Sequence, residues 1–338
     1  MSFRGDEGTD WGGIYRETLA RATSDLFANY FRLNLPCPNR VQGQVDNADR
    51  FLPDPRQTSP SSISQLEFVG KMMGIALRTK NYLEFQYAPI VWKKLVGQAP
   101  TESDIASIDT TTMQHLQRVR DWNDPSTFAH LFDDDDEDGR GGPCFTLPSV
   151  TGDIVEVIEN GRSISLTYEN RCYYVQKAIE YRLHEYDVQC KAILRGLTHV
   201  VPQRALQLFT GVELEILICG DSNIEVEQLQ KHTTYHGWNE TDAGVTRFWR
   251  SFRKLSYKER SGLVRFAWGR SRLPKEEDWS THGQPFKLTK KNGGDTVFPL
   301  AHTCFFQMEV PEYTNDSVCY KMLLFCATVG SGMGFGFA

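Results

Sequence analysis

Cys304 lies in Leu300-Ala301-His302-Thr303-Cys304-Phe305-Phe306, after a polar pair and before an apolar run that ends at Val310-Pro311. A thiol at the mouth of a strand, backed by a core, is well placed for chemistry. Thiols are nucleophilic at neutral pH and leave readily, so one can accept an acyl group and pass it on. An unperturbed thiol titrates at about 8.5, so only a few per cent is thiolate at pH 7. On a strand, His302 would share a face with Cys304. From there it could hydrogen-bond a thiolate or an oxyanion, or it could simply orient the loop. Thr303 could donate to the backbone or to the same oxyanion. The chain closes with Phe335-Gly336-Phe337-Ala338, apolar where a frayed end has little reason to be.

The elements that must position these residues follow from spacing. A unit of about 95 residues is expected after the glycine-marked segment Tyr235–Gly244. It should hold helices over Val245–Leu255 and Tyr257–Phe266, strands around 286–310, and a helix near 316–327. Upstream, the glycine-rich Gly5–Gly13 leads into a helix over Ile14–Tyr30. Three acids lie in that loop and no Gly-Lys-Ser/Thr follows, so it reads as a structural loop rather than a phosphate site. Phe68–Leu77 reads as a well-buried helix, with glycines that allow close backbone approach. Further helices are predicted over Phe85–Leu95, Thr111–Arg120 and Arg171–Arg195, the last capped by Asn170. Val155–Leu166 reads as a hairpin around Asn160-Gly161. Leu214–Gly220 is an apolar helix end or strand closed by glycine.

The composition is that of a soluble globular protein: 338 residues, 40% apolar and 24% charged. Such a chain can form two or three compact units. A net charge of -6 argues against a nucleic-acid partner, which needs a basic surface. No apolar stretch approaches the roughly 20 residues of a membrane span, and the N-terminus does not read as a signal peptide. The acidic run Asp133–Asp138 reads as a solvated loop that could also steer a charged partner. The eight cysteines include no Cys-x-x-Cys pair, so no metal and no cofactor is expected. They read as reduced thiols of a cytoplasmic or nuclear protein, most of them buried.

Taken together and in order, these segments resemble the catalytic domain of HECT-type E3 ubiquitin ligases over nearly the whole chain. The resemblance is carried by Gly5–Gly13, Phe68–Leu77, Asn160-Gly161, Tyr168-Glu169-Asn170-Arg171 and Leu214–Gly220. It continues through Arg247-Phe248-Trp249, Phe266–Pro274 and His302-Thr303-Cys304-Phe305. Ile179–Glu185 and Trp268-Gly269-Arg270-Ser271-Arg272 look most like the large HERC-type members. Two departures stand out. The helix that usually precedes the acidic glycine motif is missing, which suggests either a trimmed piece or the end of a much larger protein. Phe306 stands where the family often has asparagine.

The resemblance implies a bilobal α+β fold. An N-lobe would span residues 1–236, with an E2-binding subdomain at about 110–175. A hinge at 237–243, with Gly237 and Gly244, would lead to a C-lobe over 244–338. It implies that Cys304 takes ubiquitin from an E2 enzyme as a thioester and gives it to a lysine of a protein substrate. Phe335, four from the end, would pack on the other lobe and help place the acceptor lysine. Tyr174 and Leu116 align with residues of the E2 groove, although each could equally be ordinary core. Two rival readings are a HECT-fold interaction module without catalysis and a cysteine hydrolase. The hydrolase would need a distant histidine such as His282 or His236, because His302 is too close along one strand.

Overall fold

The computed structural model describes residues 13–27, 31–44, 46–128, 143–221, 223–274, 276, 279 and 284–330. These combine helices with small sheets, as in the α+β class. Helix α1 spans Gly13–Leu26. By packing, the chain divides into two compact units. One comprises Ser24–Arg78 and Phe85–Glu215. The other comprises Ile216 onward, Thr79–Glu84 and the described residues up to Thr23.

The first unit runs through β1 (Asn34–Pro36), α2 (Pro38–Val41), β2 (Phe51–Pro53), α3 (Pro60–Thr79), α4 (Pro89–Val96), α5 (Glu102–Ala106) and α6 (Thr110–Asp121). It continues with β3 (Thr146–Pro148), β4 (Ile154–Glu156), α7 (Arg171–His184), α8 (Asp187–Thr198), α9 (Gln203–Leu206) and α10 (Gly211–Cys219), on which the division falls. Helix α4 starts at Pro89 rather than at Phe85. Proline is favoured in the first helical turn, and it drives the residue before it out of the helical region. Ala88 accordingly has φ -66 and ψ 153.

Helix α3 buries Leu66, Val69, Met73 and Ala76, but Phe68 is 56% exposed, so the helix is buried on one side rather than all round. Its glycines do what their spacing suggests. A methyl on Gly70 would collide with the carbonyl of Ile193, and one on Gly196 with the carbonyl of Glu67. Helices α3 and α8 therefore meet backbone to backbone.

Between α6 and α7 lies a small subdomain with its own core of Met113, Leu116, Phe145, Leu147, Tyr174 and Val175. Its hairpin is not the expected one. Strands β3 and β4 pair Thr146 with Glu156 and Pro148 with Ile154, so the turn is at 149–153, with Gly152 at φ +85. Asn160 does adopt the left-handed region, at φ 56, but Gly161–Ser163 then forms a 3-10 turn. The long helix expected over Arg171–Arg195 is two helices, broken at Glu185-Tyr186. Asn170 does not cap α7 with its side chain. Its Oδ1 accepts from Thr167 N and its Nδ2 donates to Ser165 O. Near the break, Arg182 is buried between Asp109 (2.9 Å) and Glu185 (3.1 Å). Burial pushes the Glu185 carboxyl above its ordinary range, while Arg182 pulls it down.

The second unit carries α11 (Val226–Lys231), β5 (Thr233–His236), α12 (Ala243–Lys254), α13 (Tyr257–Trp268), β6 (Phe286–Lys291), β7 (Leu300–His302), β8 (Gln307–Pro311) and α14 (Asp316–Gly330). The strands form one sheet in the order β5-β6-β8-β7. Strand β6 is parallel to both its neighbours, and β7 is antiparallel to β8. Side chains alternate as a half-buried sheet requires. Phe286, Leu288, Met308 and Val310 join Phe248, Trp249 and Leu323 in one core. Fully burying each such side chain contributes about 1.5–3 kcal/mol. Lys287, Thr289, Gln307, Glu309 and His302 lie on the opposite, partly exposed face. Strand β5, which the sequence reading placed before the hinge, is thus an edge of this sheet.

Candidate active site

Strands β7 and β8 pair His302 with Gln307, which leaves Thr303–Phe306 as a four-residue connection. Thr303–Phe305 forms one 3-10 turn, and Cys304 is its central residue. Strand β7 ends at His302. The alternation that would have put His302 and Cys304 on one strand face therefore stops before it reaches the cysteine, which corrects the sequence expectation.

The turn closes on Phe306, with φ 46 and ψ 52. A bulky residue rarely adopts this conformation, so surrounding structure must hold it there. Phe306 is fully buried. Its ring stacks on Trp268 at 4.3 Å and 13°, and lies 5.0 Å from Phe286. Trp268 ends α13, which stops at Gly269 in the left-handed region. Gly269 faces Thr303: a methyl added there would lie 3.9 Å from the Thr303 Cβ. Helix α13 and strand β6 thus fix the far side of the turn, and Phe305 and Thr303 remain exposed. The Lys287 ammonium lies 5.7 Å above the Phe305 ring.

His302 is exposed, and its Nε2 lies 3.0 Å from Glu309 Oε1. The two residues sit diagonally across the β7–β8 pair, a separation that long side chains span on a common face. Sequence reasoning missed Glu309 because the register that brings it to His302 cannot be read from spacing. It also missed Trp268 as the partner of Phe306, since the two rings stand 38 positions apart along the chain.

The remaining described cysteines differ in setting. Cys37, Cys190, Cys219, Cys319 and Cys326 are buried. Burial pushes the Cys37, Cys190 and Cys326 thiols up to about 12, where they stay protonated. Cys144 is half-buried and Cys172 exposed. Among the described residues, no group of three His, Cys, Asp or Glu side chains is placed to hold a metal ion. No helix among them is long and apolar enough to cross a membrane.

The other expected site residues lie apart from the turn. Tyr174 and Leu116 are interior residues of the small subdomain. The Tyr174 hydroxyl donates to Thr146 O at 2.9 Å, and burial raises its pKa. Neither side chain offers a docking surface. Tyr173, one residue earlier on α7, is 49% exposed. Gly237 follows β5 with φ +69, and Gly244 stands in the first turn of α12 against the Trp238 ring. Phe335, the acidic run Asp133–Asp138, His282 and the loop Gly5–Gly12 lie outside the described residues.

Comparison with known proteins bears on this arrangement. Residues 15–338 match the family described as HECT-domain (ubiquitin-transferase). The E3 ubiquitin-protein ligase HERC2 of Mus musculus is 34% identical over 327 residues, covering 96% of this chain and 6% of that protein. The E3 ubiquitin-protein ligase ptr1 of Schizosaccharomyces pombe is 32% identical over 345 residues, 100% of this chain and 10% of that protein. The E3 ubiquitin-protein ligase RSP5 of Chaetomium thermophilum is 28% identical over 341 residues, 99% of this chain and 39% of that protein. The chain thus spans only a small part of the relatives it matches.

Proposed function

The chain belongs to the HECT-domain (ubiquitin-transferase) family, and from that premise we propose that Cys304 carries ubiquitin between an E2 enzyme and a substrate lysine. The Cys304 sulfur attacks the carbonyl carbon of the E2-bound thioester. A new thioester forms and the E2 thiolate leaves. A lysine amine then attacks the same carbon, an isopeptide bond forms, and the Cys304 thiolate leaves. Exchange of one thioester for another is nearly thermoneutral, so alignment supplies much of the rate.

The observation that carries this reading is the place of Cys304, central in a short turn whose far end is locked by a buried aromatic stack. Thr303, exposed beside it, is assigned a donor role toward the oxyanion, and His302 a polar role at the start of the turn. The E2 is assigned to the small subdomain, whose core holds Tyr174 and Leu116 and whose exposed Tyr173 lies against Phe145. Phe335 is assigned to acceptor placement, and the segment 237–243 with Gly237 and Gly244 to the reorientation between the two steps. Unbridged thiols suit a reducing compartment, cytoplasm or nucleus.

The test is a panel of E2 enzymes with E1, ATP and ubiquitin, comparing wild type with Cys304→Ala on gels with and without reductant. A reductant-sensitive adduct that Cys304→Ala lacks, and that moves to lysine, is expected. No adduct with any E2 would favour an interaction module, and release of free ubiquitin without lysine conjugates would favour a hydrolase. Phe335→Ala should slow lysine transfer more than loading. Equal loss of both in single-turnover gels would count against its assigned role.

A further inference from the structure

We propose that Glu309 is a positioning residue for the second transfer step, acting through His302; this rests on the relay assigned to Cys304 above. Three observations converge. His302 is the last residue of β7, so its backbone leads directly into the turn that bears Cys304. Its Nε2 is 3.0 Å from Glu309 Oε1, a hydrogen bond of ordinary length. The pair lies on the partly exposed face of the sheet, with 42% of the His302 side chain and 27% of the Glu309 side chain exposed. A reacting partner can therefore reach the imidazole, and the carboxylate does not need to stabilise the fold from within.

Bonding at one ring nitrogen decides what the other can do. A carboxylate only accepts, so Nε2 carries the proton that it donates to Glu309. In the neutral ring the lone pair then sits on Nδ1. That nitrogen takes the proton released as the lysine nitrogen bonds to the thioester carbon, while the carbon–sulfur bond breaks and the electron pair leaves on Cys304. Glu309 fixes both the ring plane and the tautomer for this transfer. The other polar groups on this face are Gln307 on β8, Thr289, Lys287 and Lys291 on β6, and His236 and Thr234 on β5. Gln307 donates to Thr289 Oγ1 at 3.2 Å, so among the described residues Glu309 is the carboxylate held to His302.

The experiment is discharge of preformed Cys304-linked ubiquitin to free lysine in single turnover, measured for wild type, Glu309→Leu, Glu309→Gln, His302→Ala and His302→Ala/Glu309→Leu. Melting curves check that each variant folds. Glu309→Leu should slow discharge about tenfold, less than the roughly 10²–10⁴-fold expected for loss of the proton acceptor itself, because Glu309 acts through His302. Glu309→Gln retains an acceptor for Nε2 and should recover part of that loss. In the His302→Ala background the Glu309→Leu change should have almost no further effect, because the two act as one unit. Discharge of Glu309→Leu at the wild-type rate overturns the proposal, as do losses that simply multiply in the double variant. Absence of any adduct on the wild-type chain overturns the relay itself and this role with it, a result distinct from normal loading with unaffected discharge.

Discussion

Replacing Phe306 with asparagine asks whether the ring or the backbone holds the turn around Cys304. The backbone favours the change. Asparagine visits the left-handed region readily, and relief of that strain at φ 46 is worth about 1–2 kcal/mol. The ring opposes it. Phe306 is fully buried and stacked on Trp268, and truncating such a residue costs about 3–5 kcal/mol. An amide left without partners in the same space costs about 1–3 kcal/mol more. The ring wins, with a net loss of about 3–5 kcal/mol after strain relief. At about 2–4 °C per kcal/mol this lowers the melting point of the second unit by roughly 10 °C. Phe306→Leu, which stays apolar but loses the stack, should fall about halfway. Phe306→Gly separates the terms further, since it removes the strain and the ring without burying an amide, and it should melt at or above the asparagine variant. Thermal unfolding followed by circular dichroism gives the order, with thioester loading at 20 °C in parallel. An asparagine variant that melts within 2 °C of wild type would refute the argument, because the turn would then owe its geometry to its own backbone.

Two further outcomes follow from burial elsewhere. Arg182→Met should cost about 3–5 kcal/mol by denaturant titration, because it strands Asp109 and Glu185 in the interior without a counter-charge; replacing all three residues with apolar side chains should restore much of that loss. Tyr174→Ala should unfold the small subdomain locally, seen as lost amide protection in α6 and α7, whereas Tyr173→Ala should keep that protection yet reduce E2-dependent loading; the opposite pattern would show that Tyr174 is the surface residue.

The second unit was largely legible in the sequence. Helices expected over Val245–Leu255 and Tyr257–Phe266 were found at Ala243–Lys254 and Tyr257–Trp268, because apolar periodicity and the Ser256–Glu259 capping box mark them locally. The strands beside Cys304 fall within the expected 286–310 span, although the reading carried a strand through the cysteine where the chain makes a turn. Three features were not legible. Asn160-Gly161 supplies the backbone freedom of a hairpin turn, but nothing in that dipeptide supplies partner strands, and the Phe145 carbonyl occupies the space beside Gly161. The break at Glu185-Tyr186 is invisible because apolar periodicity runs through it. It is made by tertiary bonds, with Glu185 accepting from Val150 N and holding Arg182. The contact between His302 and Glu309 depends on strand register, which a four-residue connection permits but does not announce.

The reciprocal glycines of α3 and α8 also set the limits of variation at their crossing. Each position is empty because the opposite main chain occupies the room. Repacking of nearby side chains cannot make space, since what stands in the way is peptide carbonyl. Drift at Gly70 or Gly196 would therefore have to push two whole helices apart. Substitutions should accumulate instead on outward positions of the same helices, such as Phe68 and Val188, which are 56% and 53% exposed and leave room for a changed side chain.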